Sequence, residues 1–347
     1  MFIRRTALAA LLSSLAAFPA LGDVRLGDQL NAIRLAGSEH MMVHTLSTRG
    51  LPVQARAERE KLLGTMGLRG QPGSVAYTNL SFSPVMTQDS NINGGYASDS
   101  FTVAGIPFRI GEEYEAVGGL VLGMSGSGRA RISLGTDTAL DLRAGASFGY
   151  APEHDMFKVS AVASACLEHM IDYSTYAHAC LDANYRKYDL GETYRTDARL
   201  GMSRVFGSDF GMHEASFELQ FRRVDSGSKY TQRIASFSLN SAIPGPYAVN
   251  MGFQLGEAVD GVMVMQERVF VGLGFLAFDR PTSVSLAVQN NRGGQWLGED
   301  LTQTVTSISV SHQFSNKLSV SGFVSRADSS DSFFDDTQYG INVGWRF

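Results

Sequence analysis

Residues 120–150, LVLGMSGSGRARISLGTDTALDLRAGASFGY, decide the fold. An apolar residue or glycine occupies every even position from Leu120 to Leu134 and again from Leu140 to Tyr150, and charged side chains such as Asp141 and Arg143 fall between them. A period of two is that of a β-strand, whose successive side chains point to opposite faces. The stretch therefore predicts two long antiparallel strands joined by a tight turn and apolar on one face only.

Similar alternating strands follow from residue 74 to the end of the chain, and together they predict a membrane barrel. Lipid offers the backbone no hydrogen-bond partner, so membrane strands must close on themselves. The face opposite the apolar stripe is too charged for the core of a soluble β-sandwich and suits a hydrated lumen. Its charged residues include Glu168, His178, Asp182, Arg186, Arg195, Asp197, Arg199, Glu214, Glu218 and Arg222. We expect residues 74–347 to form an all-β, transmembrane antiparallel outer-membrane β-barrel.

The spacing of turns predicts about 14 strands, because bacterial barrels alternate short periplasmic turns with longer outer loops. The predicted turns are 135–137, 207–210, 241–246, 278–282 and 315–317. The predicted outer loops are 87–112, 151–155, 188–194, 225–229, 257–262, 290–302 and 327–336. Phe101 to Ile110 is assigned to a loop folded over the pore, since counting it as a strand would give an odd number. A count of about 16 stays open.

The N-terminus predicts export followed by a short helical segment. Residues 1–22 have the basic start, apolar centre and small-residue cleavage site of a signal peptide. Residues 23–73 form a small periplasmic segment with predicted helices over 28–36, 38–46 and 52–66, the last with Pro52 in its first turn. The excess of acidic residues, 34 against 29 basic, and the lack of a basic stripe argue against nucleic acid as a partner.

The C-terminus carries a pattern that predicts barrel assembly. Tyr339, Ile341, Val343, Trp345 and Phe347 share one parity, and the last is the terminal residue. This ending resembles the signal by which the outer-membrane barrel assembly machinery recognises its substrates, although Asn342 stands where that pattern has glycine. The partners expected from the sequence are thus outer-membrane lipid and that machinery.

Cys166 and Cys180 are the only cysteines, and an oxidising compartment would let them pair. If residues 156–168 and 174–187 form a hairpin centred on Tyr173, the two cysteines face each other directly. Two reduced cysteines that merely pack are the alternative, because the type of the opposed pair is not readable from sequence.

The candidate chemistry of the lumen is a cluster of Glu168, His178, Asp182 and Arg186 on this same hairpin. A proton-transfer site and a structural salt-bridge network are both compatible with it, and the network is favoured because barrel interiors commonly carry such charges.

No motif for catalysis, a metal or a cofactor occurs in the chain. His154 with Glu153 and Asp155 is the one rim cluster of the kind that barrel enzymes use, and it lacks a nucleophile. His40, Met41, Met42 and His44 could be imagined as a copper site, but apolar packing of a helix is the better interpretation. We expect a protein that is not an enzyme and binds no cofactor.

The segment Asp89-Ser90-Asn91-Ile92-Asn93, the later Gly105-Ile106-Pro107-Phe108 and the glycine-rich strand over 118–134 resemble the barrel of the surface lipoprotein assembly modifiers, the DUF560 family. That resemblance implies transport of an exported lipoprotein client to the cell surface, with Asp89, Asn91 and Asn93 fixing a loop at the pore. Family members usually carry N-terminal tetratricopeptide repeats, for which residues 23–72 have no room. A passive porin for small solutes is the competing hypothesis, and a barrel enzyme is a third.

Overall fold

The structure, a computed structural model, describes residues 26–48, 53–103 and 106–345. The predictions for the signal peptide, Pro52, Gly105 and Phe347 lie outside the described residues. Three helices come first: α1 (Leu26–Ala36), α2 (Glu39–Leu46) and α3 (Val53–Met66). Ser38 caps α2, since its hydroxyl accepts from the Met41 amide at 3.0 Å. No helix among the described residues is long and apolar enough to span a membrane.

Sixteen strands follow the helices. They are β1 (Val75–Asp89), β2 (Ser100–Val103), β3 (Ile106–Arg109), β4 (Gly119–Gly135), β5 (Thr138–Ala151), β6 (Met156–Asp172), β7 (Thr175–Tyr188), β8 (Gly191–Ser208), β9 (Gly211–Ser226), β10 (Ser228–Ile243), β11 (Tyr247–Gly256), β12 (Val264–Ala277), β13 (Arg280–Trp296), β14 (Glu299–Gln313), β15 (Leu318–Ser329) and β16 (Asp336–Trp345).

Fourteen of these strands form a closed antiparallel barrel, which confirms the predicted fold and strand count. The barrel order is that of the chain, from β4 through β16, with β1 between β16 and β4. β2 and β3 pair only with each other, so the segment Phe101 to Ile110 is a hairpin within a loop, as the even strand count requires.

The two rims differ, although less than the sequence predicted. At one rim the strands are joined by turns of two to four residues, and we call it the short-turn end. At the other, the long-loop end, residues 90–118 make the one extended connection. The predicted loops 188–194, 225–229 and 290–302 are wrong in extent, because only 189–190, Gly227 and 297–298 lie between strands there. Paired strands continue through polar sequence that was assigned to loops.

The outer wall of the barrel is apolar. Leu80, Met124 and Leu181 are each at least 64% exposed, as expected of side chains that point away from the lumen. Tyr339, Ile341, Val343 and Trp345 stand on this same face of β16. A closed wall with an apolar exterior and a polar interior is the arrangement that lipid requires of a β-structure.

The seam that closes the barrel is its weakest. β1 and β16 are paired at three positions, from Thr87 with Asn342 to Asp89 with Gly340, whereas neighbouring strands elsewhere are paired at eight or more. Pro84 lies on β1 just below this short ladder, and a proline has no amide hydrogen to donate.

Candidate functional site

One wall of the lumen is charged. The lumen faces of β4 to β9 carry arginines and carboxylates that neutralise one another within the described residues. Asp141 accepts from Arg129 Nε at 3.0 Å and from Arg143 Nη2 at 2.8 Å. Asp197 lies 3.0 Å from the Nε atoms of both Arg195 and Arg222. Charges taken partly out of water are stable when paired in this way.

The predicted cluster on the β6–β7 hairpin is divided in the structure, where His178 and Asp182 belong to one salt-bridge network and Glu168 and Arg186 have other neighbours. Asp182 accepts from Arg199 Nε at 2.6 Å, and Arg199 Nη1 also donates to Glu218 at 2.9 Å. His178 Nε2 is 3.1 Å from that same Glu218. The partners come from β8 and β9, which the sequence of one hairpin could not reveal.

The remaining two members are at opposite ends of the lumen. Glu168 lies toward the short-turn end, where its Oε1 is 3.5 Å from Nε2 of His40 on α2. Arg186 lies toward the long-loop end, where it lines a cavity of about 1130 Å³.

The N-terminal helices form a plug, by which we mean residues 26–48 and 53–68, inside the short-turn end of the barrel. Ile33 and Met41 are buried against Val205, Met212 and Ala242 of the lumen wall. A second group buries Val43, Leu63, Met66 and Leu68 of the plug against Ala139, Met170 and Tyr176. The small periplasmic segment expected from the sequence is therefore held within the barrel, because the lumen wall covers its apolar residues.

His40 is the polar centre of this docking. Its Nδ1 is 2.6 Å from Glu214 Oε1, and its ring stacks on that of Tyr176 with the centroids 3.7 Å apart. Burial alone lowers the pKa of His40, but hydrogen bonds and charge from Glu168 and Glu214 more than offset burial and raise that pKa to about 9. His40 is thus an imidazolium at neutral pH. The expected apolar packing holds for the buried Met41 and is wrong for His40.

Two further polar contacts fix the plug. Arg131 of β4, itself 8% exposed at its side chain, donates to Glu39 at 2.9 Å and lies 3.6 Å from Asp141. Asn240 Nδ2 on β10 donates to the Ala36 carbonyl at 3.0 Å. The plug therefore docks by charge on the β4–β9 side and by one neutral hydrogen bond on the β10 side.

The long-loop end is covered by residues 90–118, and the Asp89–Asn93 motif fastens this loop. Ile92 is 1% exposed and packs on Val121 and Ala151 of the lumen wall. Asp89 Oδ2 is 2.5 Å from Lys158 Nζ on β6. Ser90 accepts from the Tyr339 amide of β16 at 3.1 Å.

The two asparagines of the motif form hydrogen bonds with backbone groups, one close in sequence and the other distant. Asn91 accepts from the Gly94 amide at 2.8 Å, which is local capping of a turn. Asn93 is buried, donates to the Glu115 carbonyl at 2.6 Å and accepts from the Val117 amide at 3.0 Å, so it ties the start of the loop to its end. The motif thus caps a turn and also fixes the loop.

The β2–β3 hairpin of this loop rests on an aromatic cluster. Phe101 lies 5.7 Å from Trp296 and 5.3 Å from Phe333, measured between ring centroids. Trp296 and Phe333 are stacked at 5.7 Å. The cluster joins the hairpin to the end of β13 and to the connection between β15 and β16.

Cys166 and Cys180 are directly opposed in the β6–β7 ladder and joined as a disulfide, with their Cα atoms 4.1 Å apart. Both face the lumen, where Arg199 Nη2 lies 3.9 Å from the Cys166 sulfur. The bond links two strands of the charged wall.

The wall of β13 to β15 differs from the charged wall. Most of its lumen-facing positions hold hydroxyl or amide side chains, although Ala287, Val305, Phe323 and Ala327 are apolar, and none of these positions, all within the described residues, is charged. Neighbouring hydroxyls bond across strands, as where Ser285 Oγ lies 2.7 Å from Ser309 Oγ. The serines of this face are Ser283, Ser285, Ser307, Ser309, Ser311, Ser319, Ser321 and Ser325.

No other candidate site gains support. Asp155 of the rim cluster accepts from the Tyr150 hydroxyl at 3.0 Å. Among the described residues, no group of His, Cys, Asp and Glu side chains is placed to hold a metal ion.

No protein-family model and no curated protein matches the sequence, so the similarity to the surface lipoprotein assembly modifiers stays a resemblance. Three solved structures are similar in shape. OccAB4 of Acinetobacter baumannii has 8% identity and a TM-score of 0.41, covering 80% of this chain and 100% of its own. OmpTdeltaL8 of Vibrio cholerae has 10% identity and a TM-score of 0.44, covering 78% of this chain and 99% of its own. OccK2 (OpdF) of Pseudomonas aeruginosa in complex with glucuronate has 9% identity and a TM-score of 0.42, covering 80% of this chain and 99% of its own. At such values these likenesses do not bear on what the chain does.

Proposed function

We propose that the protein is an outer-membrane channel for small polar solutes, constricted by a resident plug at its short-turn end. The observation that carries the proposal is the polar lumen of a closed barrel, which retains cavities of about 1130 and 680 Å³ between the plug and the long loop. A barrel whose only task was structural would gain stability from a packed apolar core. Here the interior keeps water-accessible polar surface instead.

The charged wall supports a channel over a catalytic site. Among the described residues, carboxylates near the centre of the lumen are bound by arginines, as Asp182 is by Arg199. Paired charges of this kind hold strands and plug in place.

Conductance of the purified full-length protein in planar lipid bilayers tests the proposal. We expect small, steady steps in potassium chloride, reduced by the plug relative to an empty barrel of this size. Protein unfolded by heat before reconstitution is the control. Folded protein that shows neither conductance steps in potassium chloride nor entry of a neutral sugar into proteoliposomes would refute a channel.

Display of lipoproteins is the second candidate, and the short seam between β1 and β16 favours it. A client with an acyl chain must leave the lumen sideways to reach the membrane. A ladder of three pairs beside Pro84 is where the fewest strand-to-strand hydrogen bonds must break for such an opening. Protease shaving of intact cells with and without the gene tests this role. Selective loss of a few surface lipoproteins at unchanged total amount would support display, whereas an unchanged surface profile would exclude it.

A further inference from the structure

The plug leaves one side of the short-turn end open. Its charged contacts are with β4, β6 and β9, and α1 packs on β9 to β12. Beside α1, between Leu35 and the ends of β12 to β15, there is a cavity of about 350 Å³. The plug is therefore held to the charged wall, and the gap runs along the uncharged one.

The cavity beside the plug and the large cavity above it lie along the same strand faces. Ser283 and Ser311 line the lower cavity, and Ser285 and Ser309, each two residues further along the same strand face, line the upper cavity of about 1130 Å³. The register places Ser283 opposite Ser311 and Ser285 opposite Ser309, so these hydroxyls form consecutive rungs. The two cavities follow one file of serines from the short-turn end toward the long loop.

The lining of the lower cavity suits uncharged solutes. Serine hydroxyls donate and accept hydrogen bonds, and Gln313 and Asn316 add amide groups of the same capacity. An ion that loses water in a narrow passage needs an opposite charge, which a hydroxyl does not supply. Lys317 is the one charged residue of this lining, and it stands in the exposed turn at the rim. On the neighbouring β12, Arg268 lies level with Gln289, closer to the long-loop end than these serines.

We propose that small uncharged polyhydroxyl solutes of monosaccharide size pass along the serine face of β13 to β15, beside a plug that stays docked. This inference rests on the proposed channel function and names its route and solute class. The lower cavity of about 350 Å³ equals the volume of about twelve water molecules in liquid water, which is room for a single sugar ring.

Swelling of proteoliposomes, which reports solute entry, tests solute class and route together. The probes are arabinose as the neutral solute, and gluconate and glucosamine as an anion and a cation of similar size. We expect entry of arabinose to be about tenfold faster than entry of either ion, since the ions find no counter-charge beside Ser311. Equal rates for all three, or preference for an ion, would overturn the solute class.

A single engineered thiol tests the route without disturbing folding. The native cysteines are joined to each other, so Ser311→Cys supplies one free thiol that a bulky neutral methanethiosulfonate can label after reconstitution. The label fills most of the lower cavity and should slow arabinose entry about tenfold. Ser127→Cys, which lines the cavity on the charged wall, is the matched control and should lose little.

The outcomes separate this inference from the channel proposal. Arabinose entry that labelling at position 311 leaves unchanged would overturn the route and leave the channel standing. No entry of any solute through folded protein would overturn both. Slowing by the label at 311 alone supports the serine route.

Discussion

His40 makes docking of the plug depend on pH. Its pKa rises from the ordinary 6.5 to about 9 when it lies between Glu168 and Glu214. A histidine whose pKa is raised on docking stabilises the docked state in full below about pH 6.5 and loses that contribution as the pH climbs through about 9. One pKa unit corresponds to about 1.4 kcal/mol, so docking should weaken by about 3 kcal/mol across this window.

Hydrogen exchange of the α1 and α2 amides measures this loss directly. After correction for the intrinsic effect of pH on exchange, the opening equilibrium of the plug should rise by about two orders of magnitude between pH 6.5 and 9. His40→Gln should remove most of that dependence and raise opening already at pH 6.5, because two carboxylates then face each other without a cation. His44→Gln, the same substitution one turn along α2, is the control and should behave as the native protein.

An equal response to pH in the native protein and in His40→Gln would contradict the role given to His40. Such a response would mean that the plug is released by other titrating groups, or that it does not open as a unit. Loss of the response in both histidine variants would point to a general loosening of α2 rather than to the ion pairs of His40.

Three further predictions concern the rest of the lumen. Replacing Cys166 and Cys180 by serine should lower the free energy of unfolding by at most about 3 kcal/mol, the value for closing a loop of about 15 residues. Heating samples stepwise before electrophoresis gives the temperature at which the barrel unfolds. Reduction of the native protein should add two hydrogens to its mass. Arg131→Gln leaves Glu39 without its cation and should loosen the plug by about 2–4 kcal/mol, which conductance would register as more frequent large steps. Ile92→Asp buries a charge against Val121 and should free the long loop, seen as faster trypsin cleavage at Arg109, the only basic residue of that loop.

The barrel was predictable because each of its strands must present apolar side chains to lipid on one face and polar side chains to water on the other. Alternation in residues 120–150 fixes which face is apolar, and closure follows because no strand edge can remain unpaired in lipid. The opposition of Cys166 and Cys180 was predicted from a hairpin centred on Tyr173, a register that the structure reaches in a different way. Asp172 pairs with Thr175 at the two-residue turn, and a β-bulge between Met170 and Asp172 then shifts the pairing by one residue, so that Cys166 lies opposite Cys180.

Contacts between elements far apart in the chain were not predictable in this way. His40 meets Glu214 across 174 residues, and Arg131 meets Glu39 across 92. A charged residue at a lumen position looks the same in the sequence whether it meets water, another strand or a helix inside the barrel. Glu168 was therefore assigned to its own hairpin, although its observed partner is His40 on the plug. The predicted loops failed for a different reason, since strand ends that lie beyond the lipid are polar yet remain paired.

The uneven distribution of charge around the lumen connects the plug with the open passage. A helix inside a barrel could be held by apolar packing alone, but such packing would have to cover the whole wall to exclude water. Ion pairs of Glu39 and His40 with β4, β6 and β9 instead hold the plug at one side. Charged residues on every strand of the lumen wall would attract the plug to all sides and draw it across the pore. Keeping β13 to β15 uncharged thus has two effects at once. It leaves the plug no cationic or anionic partner on that side, and it lines the remaining gap beside Leu35 with hydroxyls.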